Sequence, residues 1–281
     1  GSTTADSEKK VLTYAIGAET TDLSTLYMNN SLYCTSKLVY ENLVDFDNGE
    51  IVPGLAESWE YNDDQTELTF HLRQGVTFHN GEPFNAEAVK TNLEHKQSNP
   101  SFYSLKGITD IQEIEVVDEY TITLHYDHPF YAYLQDFCWP DVNPMSAPEY
   151  IIPGDFQTIS GVAGTGPYIY DEYVAGEYTR FVRNEDYWGE TPYWDEIIVK
   201  YIPDSTSRLQ ALQTGEIDMI YGGTLLTYEE YDQALAMDGI DGQMAEKDTR
   251  VQVITTNATS PYLSDIRVRQ AIAYAIDKEE M

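Results

Sequence analysis

Two histidines have the spacing of a metal-binding pair. His125 and His128 form an H-x-x-H, which brings two imidazoles together on a helix but turns them to opposite faces of a strand. The residues around them, 120–126, alternate between apolar and polar types as a strand does. We therefore expect no metal site here. His79 lies in a turn and is expected to hydrogen-bond to the backbone.

A glycine-rich segment at 161–168, GVAGTGPY, has the composition of a phosphate-binding loop. It lacks the Lys-Ser/Thr ending of such a loop, and a strand-like run follows where a helix should begin. The segment therefore indicates a turn. The sequence contains no G-x-S-x-G elbow, no H-E-x-x-H and no other nucleophile arrangement. We expect a protein that is not an enzyme and needs no cofactor.

The two cysteines, Cys34 and Cys138, are more than a hundred positions apart in the sequence. Their number excludes a disulfide-rich scaffold, and their spacing excludes a zinc cluster of the CxxC type. By number alone they could form one disulfide. We expect both to stay unpaired, since a chain of this size does not need a covalent staple.

The charge balance is strongly acidic, with 16 Lys and Arg against 48 Asp and Glu and a net charge of -32. Such a surface repels phosphate backbones and anionic lipid headgroups, which excludes nucleic acid as a partner and direct binding to a membrane surface. The excess of negative charge either keeps a secreted protein soluble or concentrates cationic ligands near it. The hydrophobic content of 42% is sufficient for a real core.

The order of elements mixes strands and helices. A strand-like run at 11–19 precedes apolar residues at helical spacing from 38 to 46, and three short strand-like runs follow. Asn85 has the position and type of a helix N-cap, and a strand pair follows that helix at 111–126. Strict strand-helix-strand alternation is absent. The pattern favours an α/β (mixed α+β) class with a mixed sheet.

The later part of the chain has the same character. A strand is predicted over 194–201, a helix over 205–214 capped by Asp204 or Ser205, and a last strand over 251–256. A final helix over 265–276, capped by Ser264 or Asp265, ends in a charged run. We expect the chain to stop within a larger architecture, because domains seldom end at such a point.

Several segments, taken in order, resemble the family 5 extracellular solute-binding proteins of ABC importers. They are LVYENLVDFDNGEIVPGLAESWEYNDDQTELTFHLRQGVTFHNGEPFNAEAVKTNLE, GTGPY, FVRNEDYWGE, IPDSTSRLQALQTGEIDMIYG and IRVRQAIAYAIDKEEM. The resemblance runs from about residue 11 to the end of the chain. It implies a periplasmic-binding-protein-like class II clamshell, which holds its ligand between two lobes.

The resemblance also implies a function and a location. The protein would capture a peptide, nickel or metallophore ligand outside the cell or in the periplasm, as a lipid-anchored lipoprotein, and deliver it to the membrane permease subunits. A peptide-binding sensor or chaperone could use the same fold. A hydrolase would need a nucleophile or metal arrangement that the sequence lacks.

A division of the chain follows from the resemblance. Residues 1–10 are expected to be a disordered tether, and 11–48 together with 185–250 the mixed sheet of the first lobe. Residues 49–184 would form an inserted subdomain. Residues 251–281 would begin a second lobe that is mostly missing.

The likeness is somewhat closer to the nickel-importer branch, whose pocket is lined by a Tyr and a Met of the N-terminal segment. The tyrosine corresponds to Tyr27. A one-residue insertion puts the methionine position near Leu32 or Tyr33, and Met28 is adjacent but out of register. This segment is therefore implied to form one wall of a ligand pocket.

The same relatives use a Trp of the inserted subdomain and an Arg that follows a Pro. The tryptophan position falls on Phe102 or Tyr103, and the arginine position, after Pro140, holds Asp141. Trp139, an aromatic beside this carboxylate, is expected to line the same concave face. An arginine clamps a carboxylate, whereas an aspartate repels it and attracts a cation. The substitution favours a peptide amino terminus or a basic metallophore over a carboxylate-rich nickel chelate.

Overall fold

The structure is a computed structural model, and its description covers most of the chain. The described residues are 9–19, 23, 35–99, 102, 105–129, 131–139, 143–156, 160–222, 226–243, 257 and 259–275. The chain divides into two compact units, residues 1–239 and 240–281. Among the described residues, no helix is both long and apolar enough to cross a membrane.

The described elements are short strands and helices in mixed order along the chain. The strands are β1 (Val11–Ile16), β2 (Val44–Asp47), β3 (Glu50–Pro53), β4 (Ala56–Tyr61), β5 (Glu67–Leu72), β6 (Ile111–Asp118), β7 (Thr121–Tyr126), β8 (Tyr168–Val174), β9 (Tyr178–Arg183), β10 (Glu196–Tyr201) and β11 (Met219–Ile220). The helices are α1 (Ser36–Val39), α2 (Ala86–Ser98), α3 (Lys106–Thr109), α4 (Tyr133–Asp136), α5 (Ser205–Thr214), α6 (Tyr228–Leu235) and α7 (Ile266–Ala275), with a 3-10 helix at Pro148–Tyr150.

A five-stranded mixed sheet contains both early and late strands. Its order is β11-β1-β10-β9-β8, with β1 parallel to both neighbours and β9 antiparallel to β8 and β10. Val11 pairs with Glu196 and Ile16 with Tyr201. The buried side chains of Val39, Phe181 and others form the core against this sheet.

A second sheet is antiparallel, in the order β4-β5-β7-β6, and helix α2 contacts β6 and β7. Alternate residues of β5 are buried, namely Leu68, Phe70 and Leu72, because every second side chain of a strand points to the same face of the sheet. A larger core of buried aliphatic and aromatic residues lies on that face. This sheet and α2 support the segments that carry Phe102 and Trp139.

Several predictions about elements are confirmed. The Asn85 side chain accepts a hydrogen bond from the Ala88 backbone N–H and caps α2. Asp204 caps α5 in the same way through Ser207. In the second unit, the Asp265 carboxylate accepts from the backbone N–H of Arg267 at the start of α7. The strand predicted over 251–256 lies outside the described residues.

The helix predicted from 38 to 46 is wrong beyond residue 39. Helix α1 ends at Val39, and the chain is extended in β2, which pairs with β3 as a hairpin. Asn48 and Gly49 form the hairpin turn with φ of 50° and 89°, a backbone conformation that favours such residues. The turn pairs the two strands, and this pairing overrides the helical spacing of the apolar residues.

The predicted boundary of the inserted subdomain is wrong at its C-terminal end. Strands β8 and β9 lie within 49–184, yet both belong to the five-stranded sheet with β1. β9 pairs with β10 over five residues, so β8 and β9 belong to the same sheet as the later strand β10. The second compact unit begins at residue 240, before the predicted start of a second lobe at 251.

Candidate ligand-binding site

Of the residues that the resemblance assigns to a pocket, only Phe102 and Trp139 are described. The others lie outside the described residues: Tyr27, Met28, Leu32, Tyr33, Tyr103 and Asp141. The two described residues are carried by neighbouring segments. The backbone N–H of Gly107 donates to the Asp136 carboxylate at 2.7 Å, which fixes the segment after Phe102 beside α4.

Trp139 is half-exposed and sits on a loop with fixed ends. The residue keeps 52% of its surface in solvent. Its carbonyl accepts from the backbone N–H of Asn143 at 2.9 Å, and the Asn143 side chain donates to the carbonyl of Asp136 at 3.0 Å. An exposed aromatic face on an anchored loop is suited to stack against a solute.

Phe102, in contrast, is fully buried. Its side chain packs with Leu105 and Ile108 in a small apolar cluster, and its carbonyl accepts from the Leu105 backbone N–H at 2.9 Å. The ring is therefore part of the interior in this conformation. The structure brings the segments of Phe102 and Trp139 together, but it shows only the tryptophan with an exposed face.

A buried lysine hydrogen-bonds to the loop that carries Trp139. Lys96, at the end of α2, is 1% exposed, and its Nζ donates to the Pro144 carbonyl at 2.7 Å and to Asn143 Oδ1 at 3.3 Å. None of the carboxylates that the structure describes forms an ion pair with it. Burial lowers the pKa of Lys96 to about 7. No sequence pattern distinguished this lysine from the others.

A second polar centre lies at Glu41, directly after α1. Its carboxylate accepts from the Tyr187 hydroxyl at 2.7 Å, from the Trp188 indole N–H at 2.7 Å and from the Thr165 hydroxyl at 2.8 Å. Burial raises the pKa of Glu41, and these hydrogen bonds oppose the shift. Glu41 was not predicted from the sequence, since one carboxylate among 48 has no distinguishing pattern.

The histidines serve the scaffold. His79 Nε2 hydrogen-bonds to the Gly166 carbonyl at 2.9 Å, as predicted for this turn, and burial lowers the pKa of His79. His125 approaches Glu115 and His128 approaches Asp127, so the two imidazoles contact different carboxylates. Within the described ranges, no group of three or more His, Cys, Asp or Glu side chains could hold a metal ion.

The cysteine prediction is confirmed for Cys138. Its thiol is buried and unpaired, and burial raises its pKa to about 12. Such a thiol carries almost no thiolate at neutral pH and is chemically inert. Cys34 lies outside the described residues, so its state stays a prediction.

Comparison with known proteins decides the family. The family model described as "Bacterial extracellular solute-binding proteins, family 5 Middle" matches residues 50–281. The chain belongs to this family. The match covers the second sheet, α2, the Trp139 loop and the late strands, and the mixed α/β architecture is similar to the periplasmic-binding-protein fold.

Relatives of this family 5 protein match along nearly the whole chain. It is 32% identical over 265 residues to the nickel-binding periplasmic protein of Escherichia coli (strain K12), covering 91% of this chain and 49% of the relative. The crystal structure of NikA from Brucella suis in complex with Fe(III)-EDTA has a TM-score of 0.86 and 32% identity, covering 96% of this chain and 55% of that one.

A peptide complex is also similar. The ABC transporter-associated periplasmic binding protein DppA from Helicobacter pylori, in complex with peptide STSA, has a TM-score of 0.77 and 26% identity, covering 96% of this chain and 57% of that one. The family 5 chain thus spans about half the length of the relatives that it matches.

Proposed function

We propose that this protein is the solute-binding subunit of an ABC importer, which captures a peptide or nickel-complex ligand and delivers it to membrane permease subunits. The observation that carries the proposal is the similarity, over nine-tenths of the chain, to a nickel-binding protein, together with a structural match to a peptide complex. The family is one of extracellular solute-binding proteins. Anchoring by a lipid is part of the proposal.

The proposed pocket is centred on the Trp139 loop. Trp139 supplies an exposed aromatic face, and the fixed ends of its loop reduce the ordering that a solute would otherwise impose. The tryptophan position of the relatives falls on Phe102 or Tyr103. Because the Phe102 ring is buried, we propose that Tyr103 takes this place in the pocket. The remaining proposed lining residues are Tyr27, Met28, Tyr33 and Asp141.

Asp141 makes the proposal more specific. A carboxylate in this place favours a solute that presents a cationic group, such as a peptide amino terminus or a basic metal chelator. The acidic surface, with a net charge of -32, would also raise the encounter rate with such solutes. We propose binding without turnover, since solute capture needs no nucleophile.

Calorimetry with two solute classes tests the proposal. The chain is titrated with short peptides that have a free amino terminus and with a nickel–histidine complex, and the solute is recovered afterwards. We expect saturable binding of one class, recovery of unchanged solute, and roughly tenfold or more loss of affinity in Trp139→Ala. The matched control is Tyr193→Ala, which removes another exposed aromatic ring, one that lies beside the Lys10 ammonium. Equal loss in both variants would remove Trp139 from the pocket.

A further inference from the structure

The sequence Asn-Gly-Glu occurs twice in the chain, at 48–50 and at 80–82. The first copy lies at the exposed tip of the hairpin between β2 and β3. The second lies in the turn before α2, between two buried phenylalanines, Phe78 and Phe84. Because the three residues are the same, a difference in reactivity between the two copies has a structural cause.

An Asn-Gly sequence can lose ammonia without an enzyme. The glycine backbone nitrogen, once its proton has passed to hydroxide, attacks the asparagine Cγ. The N–Cγ bond forms, the Cγ–Nδ2 bond breaks, and ammonia leaves with a proton taken from water. One water then opens the resulting succinimide ring, at Cγ to give aspartate or at the backbone carbonyl to give isoaspartate. Glycine favours the attack because it has no Cβ to obstruct it.

The Asn48 side chain is weakly restrained. Its Nδ2 donates to Asp47 Oδ1 at 3.0 Å, and both residues are exposed. None of the described residues accepts a hydrogen bond from the Gly49 backbone N–H. The attacking nitrogen and the leaving amide therefore both lie in exposed residues, and one hydrogen bond to a neighbouring side chain holds the amide.

The Asn80 side chain is held at both of its polar atoms. Its Nδ2 donates to Glu149 Oε2 at 3.1 Å, and its Oδ1 accepts from the Glu82 backbone N–H at 3.2 Å. The Gly81 backbone N–H donates to the Phe78 carbonyl at 2.8 Å. Ring closure at this site must first break these three hydrogen bonds.

Both turns must open for the reaction, because the glycine nitrogen has to reach bonding distance of Cγ. The two glycines do not differ in this respect: their φ values are 89° and 88°, and a Cβ built on either meets no atom within 4 Å. The hairpin is a two-stranded sheet of four residue pairs. Such hairpins are marginally stable, and exposed tips open at low free energy. The hairpin tip is therefore the turn that opens more readily.

We propose that Asn48 is a site of spontaneous deamidation in the folded protein, whereas Asn80 is protected by its contacts. The extra hydrogen bonds at Asn80 and at Gly81 stabilise the unreactive conformation. At the usual strength of such bonds, they slow the reaction roughly tenfold relative to Asn48. This modification is independent of the proposed solute capture.

The product changes the hairpin tip in two ways. It adds a carboxylate between Asp47 and Glu50, which already face each other across the hairpin. Isoaspartate also lengthens the backbone of the turn. The chain beyond the hairpin stays paired, because the Leu43 carbonyl accepts from the backbone N–H groups of Gly54 and Ala56 at 3.1 and 2.9 Å. The change is therefore confined to the hairpin.

Incubation of the folded chain at mildly alkaline pH, followed by proteolysis and mass spectrometry of the peptides, tests the proposal. Deamidation is measured from the mass gained when an amide becomes a carboxylate, and chromatography separates isoaspartate from aspartate. We expect Asn48 to react roughly tenfold faster than Asn80. Equal rates at the two sites, or an intact Asn48, would overturn the proposal.

The same incubation in concentrated urea is the control for local sequence. The unfolded chain lacks both turns, so Asn48 and Asn80 should react at similar rates. If the preference for Asn48 persists unchanged in urea, the sequence causes it and the proposal is wrong.

Glu149→Ala tests the protection of Asn80 directly. Glu149 is exposed, so folding is retained. The variant should deamidate severalfold faster at Asn80, because Nδ2 loses its acceptor, and at an unchanged rate at Asn48. Glu190→Ala, which removes another exposed carboxylate, is the matched control and should change neither rate. An Asn80 rate that stays the same in Glu149→Ala would show that the contacts give no protection.

Discussion

At the scale of single residues, Lys96 shows how burial sets the chemistry of a side chain. Its ammonium is buried, and among the described residues it donates only to an amide oxygen and a backbone carbonyl. Neutral acceptors compensate poorly for lost hydration, so the charged form is disfavoured and the pKa of Lys96 falls to about 7 from an ordinary 10.5. The lysine nevertheless holds the Asn143 end of the Trp139 loop.

This shift predicts a pH dependence of stability. Between about pH 7 and 10.5, the unfolded chain binds more protons at Lys96 than the folded one, so the free energy of unfolding rises with pH. Lys96→Met should flatten this rise, as measured by urea denaturation at several values between pH 7 and 8, mostly below the ordinary thiol pKa of about 8.5 and well below the tyrosine pKa of about 10.

The control for this prediction is Lys90→Met on the same helix. Lys90 is partly exposed and lies 3.9 Å from Glu94, so its replacement should leave the slope with pH unchanged. A slope that persists in Lys96→Met would show that other groups cause it.

Single residues were predictable from the sequence where their role is local. The backbone hydrogen bond of His79 and the helix cap at Asn85 follow from their place in a turn or at a helix start. Glu41 and Lys96 were not predictable, because their burial depends on segments more than forty residues away in sequence. Desolvation is a property of tertiary packing, which residue type alone does not reveal.

At the scale of elements, the glycine-rich segment predicted as a turn has a packing role. A Cβ at Gly164 would lie 2.0 Å from the carbonyl oxygen of Val39, next to the point where the Gly166 N–H donates to that carbonyl at 2.9 Å. The close approach joins the segment to α1, and only glycine permits it.

Gly164→Ala should therefore destabilise the protein by about 3 kcal/mol, because the backbone must move to admit a methyl group. Gly176→Ala is the control. A Cβ there meets no atom within 4 Å, although its φ of +73° adds strain. That strain costs roughly 1–2 kcal/mol. Urea denaturation of both variants tests the difference, and a Gly164→Ala variant as stable as Gly176→Ala would refute the packing role.

Helices α5 and α6 begin at a shared carboxylate. Glu230 accepts from the hydroxyls of Ser205 and Thr206 at 2.9 and 3.0 Å and from the backbone N–H of Thr227 at 2.9 Å. The Thr227 backbone N–H lowers the pKa of Glu230 most, followed by the Ser205 hydroxyl, to about 2. The stabilising contribution is present above the ordinary pKa of 4.5 and is lost as pH falls toward 2.

Glu230→Gln should lower the melting temperature at pH 7 and have a much smaller effect near pH 2.5, where the wild-type carboxylate is largely protonated in the unfolded chain. Glu229→Gln, in the same helical turn but outside this network, is the control and should change the melting temperature less. Equal effects at both pH values would contradict the role of the charge.

Element types were largely predictable because period-two alternation and capping residues act locally, as in β5 and α5. The failure between residues 38 and 46 has a physical cause. Leu43 and Val44 are buried where the chain enters β2, whereas Phe46 is 44% exposed, and the hairpin turn at Asn48 and Gly49 favours the strand. The spacing of apolar residues over nine positions does not distinguish a helix from a strand here.

At the scale of the whole molecule, the excess of acidic residues predicts a salt effect. With 48 carboxylates against 16 basic groups, repulsion outweighs attraction in the folded state. Raising the ionic strength from about 10 mM to 0.5 M shortens the screening length from roughly 30 Å to a few ångström, so the melting temperature should rise. A melting temperature that falls with sodium chloride would indicate that the ion pairs dominate instead.

The family and the mixed fold class were predictable from the joint order of segments, but the limits of the sheet were not. Pairing of β1 with β10 joins residues about 185 positions apart, and neither strand pattern identifies its partner. The assignment of β8 and β9 failed for the same reason. For the pocket, the sequence indicated Trp139 as a candidate, and the structure shows that this residue is exposed. The other proposed lining residues, apart from Phe102, lie outside the described residues and stay predictions.

Native mass spectrometry of the longest natural form of the protein, purified from its host without denaturation, tests solute capture most directly. We expect an added mass on the folded protein that is released on denaturation and identified as a peptide or a nickel complex. A bare mass that stays unchanged after both solute classes are added would contradict the proposed function.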